Sequence, residues 1–384
     1  MIPYGRQDIS DADVEAVRAA LLSDFITQGP AIAAFEAAIS GYCGSTYGVA
    51  MSSATAALHV ACMALDLGPG DWLWTSPITF VASANAALYC GAQVDFVDID
   101  KTTYNMCLDA LEAKLEAAER DGKLPKIVVP VHFAGQSCDM VRLARLRDTY
   151  GFRIIEDASH AIGGSYHNAH VGNCAHSDIC VFSFHPVKII TTAEGGLATT
   201  NDPELAHRLF TLRTHGITRD ASRMENGSEG PWYYEQLELG YNYRMTDIQA
   251  ALGTSQFARL DSFIDARHER RKIYDQGLAH LPLTLPYQPD FQRSGLHLYP
   301  ILLTDEAPVN RRQAFDALRA AGIGVNVHYI PVYRQPYYVR MGFDRASFPN
   351  AEDYYSRTIS IPMYAQLTAD DQNTVMSALT AILA

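Results

Sequence analysis

Between residues 45 and 215 short apolar runs alternate with helical segments, and this rhythm leaves the chain few architectures. Tyr47 to Met51, Trp72 to Thr75, Gln93 to Val97, Ile127 to His132, Arg153 to Glu156 and Ile179 to Phe184 read as strands. Ala54 to Leu65, Phe80 to Tyr89, Leu108 to Arg120 and Met140 to Tyr150 read as helices between them, the last with Asp139 as its N-cap. Near-continuous apolar strands separated by helices predict an α/β fold, a mainly parallel sheet covered on both faces. A charged, turn-rich stretch from Arg219 to Gly230 interrupts the pattern, and one long helix is expected from Thr246 through Tyr274. Beyond it, a strand at Leu298 to Leu303, a helix at Arg311 to Ala321, a strand at Val325 to Tyr329 and a final helix after Thr368 read as a smaller α+β domain. The expected division is therefore 1–255, a large domain with an N-terminal arm, and 256–384, a small C-terminal domain.

Composition removes several function classes. With 384 residues, 48% hydrophobic and 19% charged, the chain has the makeup of an ordinary soluble globular protein with room for two domains. Its net charge of −13, with no Lys/Arg-rich run, disfavours nucleic acid as a partner. An anionic substrate must then be held by local donors such as helix N-termini and backbone amides. No apolar run approaches the ~20 residues of a membrane span. The seven cysteines (43, 62, 90, 107, 138, 174 and 180) are odd in number and form no C-x-x-C pair, which predicts buried free thiols in a reducing cytoplasm. The opening Met1-Ile2-Pro3-Tyr4-Gly5-Arg6 has no apolar h-region, so a signal peptide is not expected.

Chemistry gathers at the strand–helix junctions. Lys188 follows the run Ile179 to Phe184 and has apolar residues on both sides. Lys101, Lys114, Lys123, Lys126 and Lys272 instead lie beside charges or in polar segments. A sheltered amine at a strand end suits Schiff-base chemistry, although a surface lysine in that place would read the same way locally. Ser52-Ser53-Ala54-Thr55 joins a strand to a helix, where backbone N–H groups can approach a phosphate or where the hydroxyls simply cap. Phe80 opens a helix after a strand and suits either a stacking face or the core. Asp157 ends a strand at the edge where open α/β sheets bind ligands, and a carboxylate there can keep a pyridinium nitrogen protonated. A metal site from Asp157, His160, His132 and His185 fits no compact ligand spacing, so none is expected. A phosphate-type turn, an aromatic, a carboxylate and a lysine, in that order within one α/β unit, match the needs of pyridoxal 5′-phosphate.

Longer motifs then carry a resemblance. Thr27-Gln28-Gly29-Pro30, Glu156-Asp157-Ala158, Ser183-Phe184 with Lys188 and Glu194-Gly195-Gly196, Gly240-Tyr241-Asn242-Tyr243-Arg244-Met245-Thr246-Asp247 and His328-Tyr329 span nearly the whole chain. Together they resemble the DegT/DnrJ/EryC1/StrS aminotransferases, fold-type I pyridoxal-phosphate enzymes that aminate keto groups of nucleotide-linked sugars. His185-Pro186-Val187-Lys188 and Ile190-Thr191-Thr192 are most similar to the branch making pseudaminic acid precursors, which aminates C4 of a UDP-linked 4-keto-6-deoxy-N-acetyl-hexosamine. The resemblance implies Lys188 as the aldimine lysine, Asp157 as partner of the pyridine nitrogen, Phe80 as the stacking residue, and Ala54, Thr55 and Ser183 beside the phosphate. It places His160, where many relatives have Gln, at the cofactor's ring hydroxyl, and Asn242 at the phosphate of the neighbouring subunit's cofactor. Tyr4, Ser53, Asp24, Phe25, Ile26, Thr27, His328, Tyr329, Ile330 and Pro331 are implied substrate contacts. L-glutamate as amino donor and a homodimer with shared sites follow from the same likeness. Sugar dehydratases on this fold replace the lysine with histidine, so Lys188 speaks for amination over dehydration.

Overall fold

In the computed structural model, which describes residues 1–383, seven strands form one central sheet. Their spatial order is Tyr47–Met51, Gly196–Thr200, Ile179–Ser183, Arg153–Asp157, Ile127–Val129, Trp72–Thr75 and Gln93–Phe96. Gly196–Thr200 runs antiparallel to both neighbours, and every other pairing in the sheet is parallel. The alternation of side chains separates two cores: Ile179 and Val181 pack on one face, Cys180 and Phe182 on the other. The Ala54–Ala64 helix lies on the first face, and its run of small side chains lets it settle close to the strands beneath.

Some expected boundaries shift for local reasons. The strand expected from Ile127 to His132 stops at Val129, since Pro130 has no N–H to extend the ladder. The helix expected from Phe80 starts at Ala82. The long helix expected from Thr246 to Tyr274 is two helices, Asp247–Phe257 and Leu260–Leu278, parted where Arg259 leaves helical geometry (φ −108°, ψ 4°). The Arg259 guanidinium reaches Asp8 at 2.9 Å and Asp13 at 2.5 Å, tying that break to the N-terminal segment.

Beyond the break, an antiparallel sheet of Leu283–Thr284, Tyr299–Leu303 and Thr358–Ile361 packs with the helices Leu260–Leu278, Arg311–Ala320 and Ala369–Leu383 around its own core. The expected strand Val325 to Tyr329 is not one; only Asn326 pairs, with Ser360. The N-terminal residues lie on this C-terminal unit. Ile2 N–H donates to Gly322 O at 2.9 Å, and Tyr4 O accepts from Met363 N–H at 3.0 Å. Tyr333, Tyr338 and Phe348, though C-terminal in sequence, pack into the first core of the large sheet.

Candidate active site

The carboxyl ends of the parallel strands open onto one cavity of about 650 Å³. Asp157 is the last residue of its strand and is buried. Its Oδ2 accepts from Ser83 Oγ at 2.6 Å and its Oδ1 from the Ser159 N–H at 3.1 Å. Ser83 is held in turn by Thr79 Oγ1 at 2.7 Å. These donors fix the carboxylate while leaving acceptor capacity toward the cavity, which Asp157 lines.

The next strand, Ile179–Ser183, delivers the lysine. Past its end the loop is pinched by Phe184 N–H to Gly195 O at 2.9 Å and Thr192 N–H to Phe184 O at 3.0 Å. Lys188 N–H donates to His185 O at 2.8 Å, turning the side chain's own residue into a tight bend. The amine makes no ion pair or hydrogen bond among the described residues. Lys188 keeps some exposure through the cavity, yet protein surrounds it, and that desolvation brings the amine from its usual 10.5 to about 8. The nearby Asp157 charge opposes the shift without cancelling it.

A third wall is a helix start. Ser53 Oγ accepts the Ala56 N–H at 3.1 Å, so the earlier amides, Ala54 and Thr55, have no intrahelical partner. Gly196 passes directly beneath them: a Cβ built there would lie 2.5 Å from Ala54 N. Gly196→Ala is therefore expected to push the turn outward, costing ~1–3 kcal/mol as an overpacked contact. A lower melting temperature together with weaker cofactor retention on dialysis would check this.

The remaining wall is aromatic and imidazole-rich. Phe80 is 60% exposed, a large aromatic left open at the cavity. His160 Nε2 lies 3.0 Å from Tyr329 OH, and its Nδ1 has no partner. Burial first, then the charge of Lys188, keeps His160 well below the usual histidine range. His297, with rings 4.5 Å from His160, is lowered by burial and by His160 and Lys188 in turn. His328 drops to about 3, through burial and then Lys188. The site thus sets neutral imidazoles around one amine whose proton is loosely held. Tyr329 is raised by burial and stays a phenol.

Of the residues singled out in the sequence, the fold gathers Tyr4, Ser53, Ala54, Thr55, Phe80, Asp157, His160, Ser183, Lys188, His328, Tyr329 and Ile330 on this cavity. Others lie away from it within the single chain. Asp24, Phe25, Ile26 and Thr27 are exposed, Asn242 is exposed and bridges to Thr214, and Pro331 is buried without lining the cavity. Sequence reasoning missed His297 and Asn326, which also face the cavity. Asn326 was findable: in Val325-Asn326-Val327-His328 the polar residues recur at period two within an apolar run. His297, alone among Leu296 and Leu298, offered only a polar residue entering a strand.

The donor set suits a phosphorylated pyridine aldehyde. An amine near neutrality, a fixed carboxylate, open amides over a glycine with no Cβ, an exposed ring face and an orphaned His160 nitrogen provide one partner for each part of it. Fold and site together define a fold-type I aminotransferase. The chain belongs to the DegT/DnrJ/EryC1/StrS aminotransferase family, whose pattern matches residues 7–380. It is 38% identical over 385 residues to a UDP-4-amino-4,6-dideoxy-N-acetyl-beta-L-altrosamine transaminase of Campylobacter jejuni, covering 100% of this chain and 98% of that one. Among solved structures it is similar to Helicobacter pylori PseC, an aminotransferase involved in the biosynthesis of pseudoaminic acid, with TM-score 0.90, 30% identity and coverage of 100% and 99%. Spr1654 of Streptococcus pneumoniae, assigned as a sugar aminotransferase and solved in its PMP form, matches with TM-score 0.90 and 30% identity over 100% and 99% of the two chains.

Proposed function

We propose that this pyridoxal-phosphate-dependent sugar aminotransferase moves the amino group of L-glutamate to C4 of a UDP-linked 4-keto-6-deoxy-N-acetyl-hexosamine, in pseudaminic acid biosynthesis. The observation that carries the reading is Lys188 and Asp157 on one cavity, with the helix-start amides and Phe80 around them. The likeness to the Campylobacter transaminase over the whole chain supports the choice of sugar. Pyridoxal 5′-phosphate, when bound, supplies an electron sink for the carbon that gives up its proton.

The chain's own residues do the rest. Lys188 Nζ would anchor the cofactor and, as a free amine, would take the proton from the donor's α-carbon. An amine near 8 is partly unprotonated at neutral pH, where an exposed lysine would be almost wholly charged. Asp157 would keep the cofactor's ring nitrogen protonated, and Phe80 would pack against its ring. The Ala54 and Thr55 amides at the helix start, with Ser183 at a strand end, would hold the phosphate, where the dipole offsets the anion despite a net charge of −13. His160, whose Nδ1 has no partner, would meet the ring hydroxyl. Tyr4, Ser53, His328, Tyr329 and Ile330 orient the sugar nucleotide, with Pro331 shaping their loop from behind. Asn242 and the segment from Asp24 to Thr27 act across a homodimer interface, where Asn242 reaches the phosphate site of the second copy. The division at 255/256 lies close to the helix break at Arg259, and we take it as the domain boundary. A cytoplasmic enzyme accords with seven free thiols among the described residues.

The test is to incubate the holoenzyme with ¹⁵N-glutamate and a panel of UDP- and dTDP-linked 4-keto and 3-keto sugars. The UDP-4-keto-6-deoxy-N-acetyl sugar should gain ¹⁵N at C4 by mass and NMR. Label on a dTDP sugar or at C3 would replace this substrate with the other, and dehydration without label would move the enzyme to another reaction.

A further inference from the structure

Ser360 lies in the buried strand Thr358–Ile361, outside the cavity, yet its hydroxyl sits 2.9 Å from His328 Nδ1. The other ring nitrogen, Nε2, faces Asn326 Nδ2 at 3.4 Å, and both of those residues line the cavity. Which way the Asn326 amide points is settled by the backbone beside it. Its Oδ1 accepts the Val327 N–H at 2.8 Å, so the NH₂ group is the end turned to the ring. An NH₂ group only donates, which makes Nε2 the acceptor and leaves the ring proton on Nδ1, donated to Ser360 Oγ. Backbone pairing holds the arrangement: Ser360 N–H donates to Asn326 O at 2.8 Å, and Asn326 N–H to Ser360 O at 3.2 Å. Tyr354 OH adds a bond to His328 O at 2.8 Å.

We infer that Ser360 is a positioning residue for the sugar subsite: its hydroxyl accepts the Nδ1–H that the Asn326 NH₂ imposes on His328 and holds the ring so that Nε2 takes a hydrogen-bond donor of the sugar. The donor is a hydroxyl or the N-acetyl N–H. This rests on reading the cavity as a nucleotide-sugar site. The contact to Asn326 is long for a hydrogen bond, so the lone pair is open to a better-placed donor. Burial and Lys188 hold the ring neutral at any working pH, and a neutral lone pair repels phosphate oxygen. The ketone oxygen, an acceptor only, gains nothing at Nε2 and is left to the Lys188 side of the cavity.

The tautomer can be read without any substrate. In ¹⁵N-histidine-labelled full-length protein, the His328 signals are those lost in His328→Gln. They should show Nδ1 protonated and Nε2 bare, and Ser360→Ala should keep that tautomer but shift the Nδ1–H signal, which loses its acceptor. A wild-type ring protonated on Nε2 overturns the inference. In the holoenzyme, Ser360→Ala should raise KM for the keto sugar about tenfold, the scale of one hydrogen bond, with kcat and the glutamate half-reaction nearly unchanged. Ser360→Thr, which keeps the hydroxyl, should restore KM. Equal slowing of the glutamate half-reaction in Ser360→Ala would make the residue structural only and sink the idea. The NMR result does not depend on which sugar is aminated, so a wrong substrate and a wrong tautomer are told apart.

Discussion

Lys188→Ala is expected to cut turnover by roughly 10⁴-fold or more, the top of the range for a positioned general acid/base, because in the proposed reaction the same amine also anchors the cofactor. Nothing else in the cavity can replace it. Tyr329 is held as a phenol, while His160 and His328 are held neutral by burial and by the lysine itself. Removing the Lys188 charge would relax the histidines but supply no primary amine. The check has two arms: rate with glutamate and keto sugar, and borohydride treatment followed by peptide mass mapping. Wild type should carry a reduced cofactor adduct on the Lys188 peptide, and the variant should carry none anywhere. A pH series on cofactor-free protein adds a sign test. The free amine is the reactive form, so labelling of Lys188 should rise with pH and level off above about 8, not above 10.5. An adduct at another lysine, or an inflection near 10.5, would end the assignment.

Asp157→Ala should come next, at about 10²–10³-fold in kcat, on the scale of losing one preorganised electrostatic partner. The carboxylate is buried and braced by Ser83 Oγ and the Ser159 N–H, so it cannot swing away from a ring nitrogen placed in the cavity. Without it the pyridine would lose the partner proposed to keep its proton, and the electron sink would weaken. Asp157→Asn keeps the shape and the Ser83 contact but not the charge. It should therefore fold like wild type, bind cofactor, and still lose most of the rate. Normal kcat in Asp157→Asn with an unchanged cofactor spectrum would show that the charge has no part in the reaction. Loss of folding in both variants would instead mark Asp157 as structural.

Strand-end residues were the legible part of the site. Asp157 and Ser183 end two neighbouring parallel strands and Lys188 follows the second, so locating the apolar runs located them too. The Gly196–Thr200 strand was overlooked because Gly-Leu-Ala-Thr-Thr carries little apolar signal; burial on both faces came from its neighbours, not from its own residues. The break at Arg259 had the same cause. Its two carboxylate partners, Asp8 and Asp13, lie some 250 positions away in the chain.

Local periodicity and ordered motifs were enough to give a mainly parallel α/β sheet and the edge at which Asp157 and Lys188 meet the cavity. Those properties depend on neighbours within a few residues, and such neighbours are written next to one another. The far wall of the cavity was settled only by packing. Tyr4 from the N-terminal arm, His297 and the stretch from Asn326 to Ile330 converge on Lys188 because the C-terminal sheet and the arm dock beside the large one. His328 owes the partner that holds its ring to Ser360, 32 positions on, through a backbone pairing that no local pattern encodes. Contacts of that kind are chosen by which surfaces can be buried together, and burial exists only once the whole chain has folded.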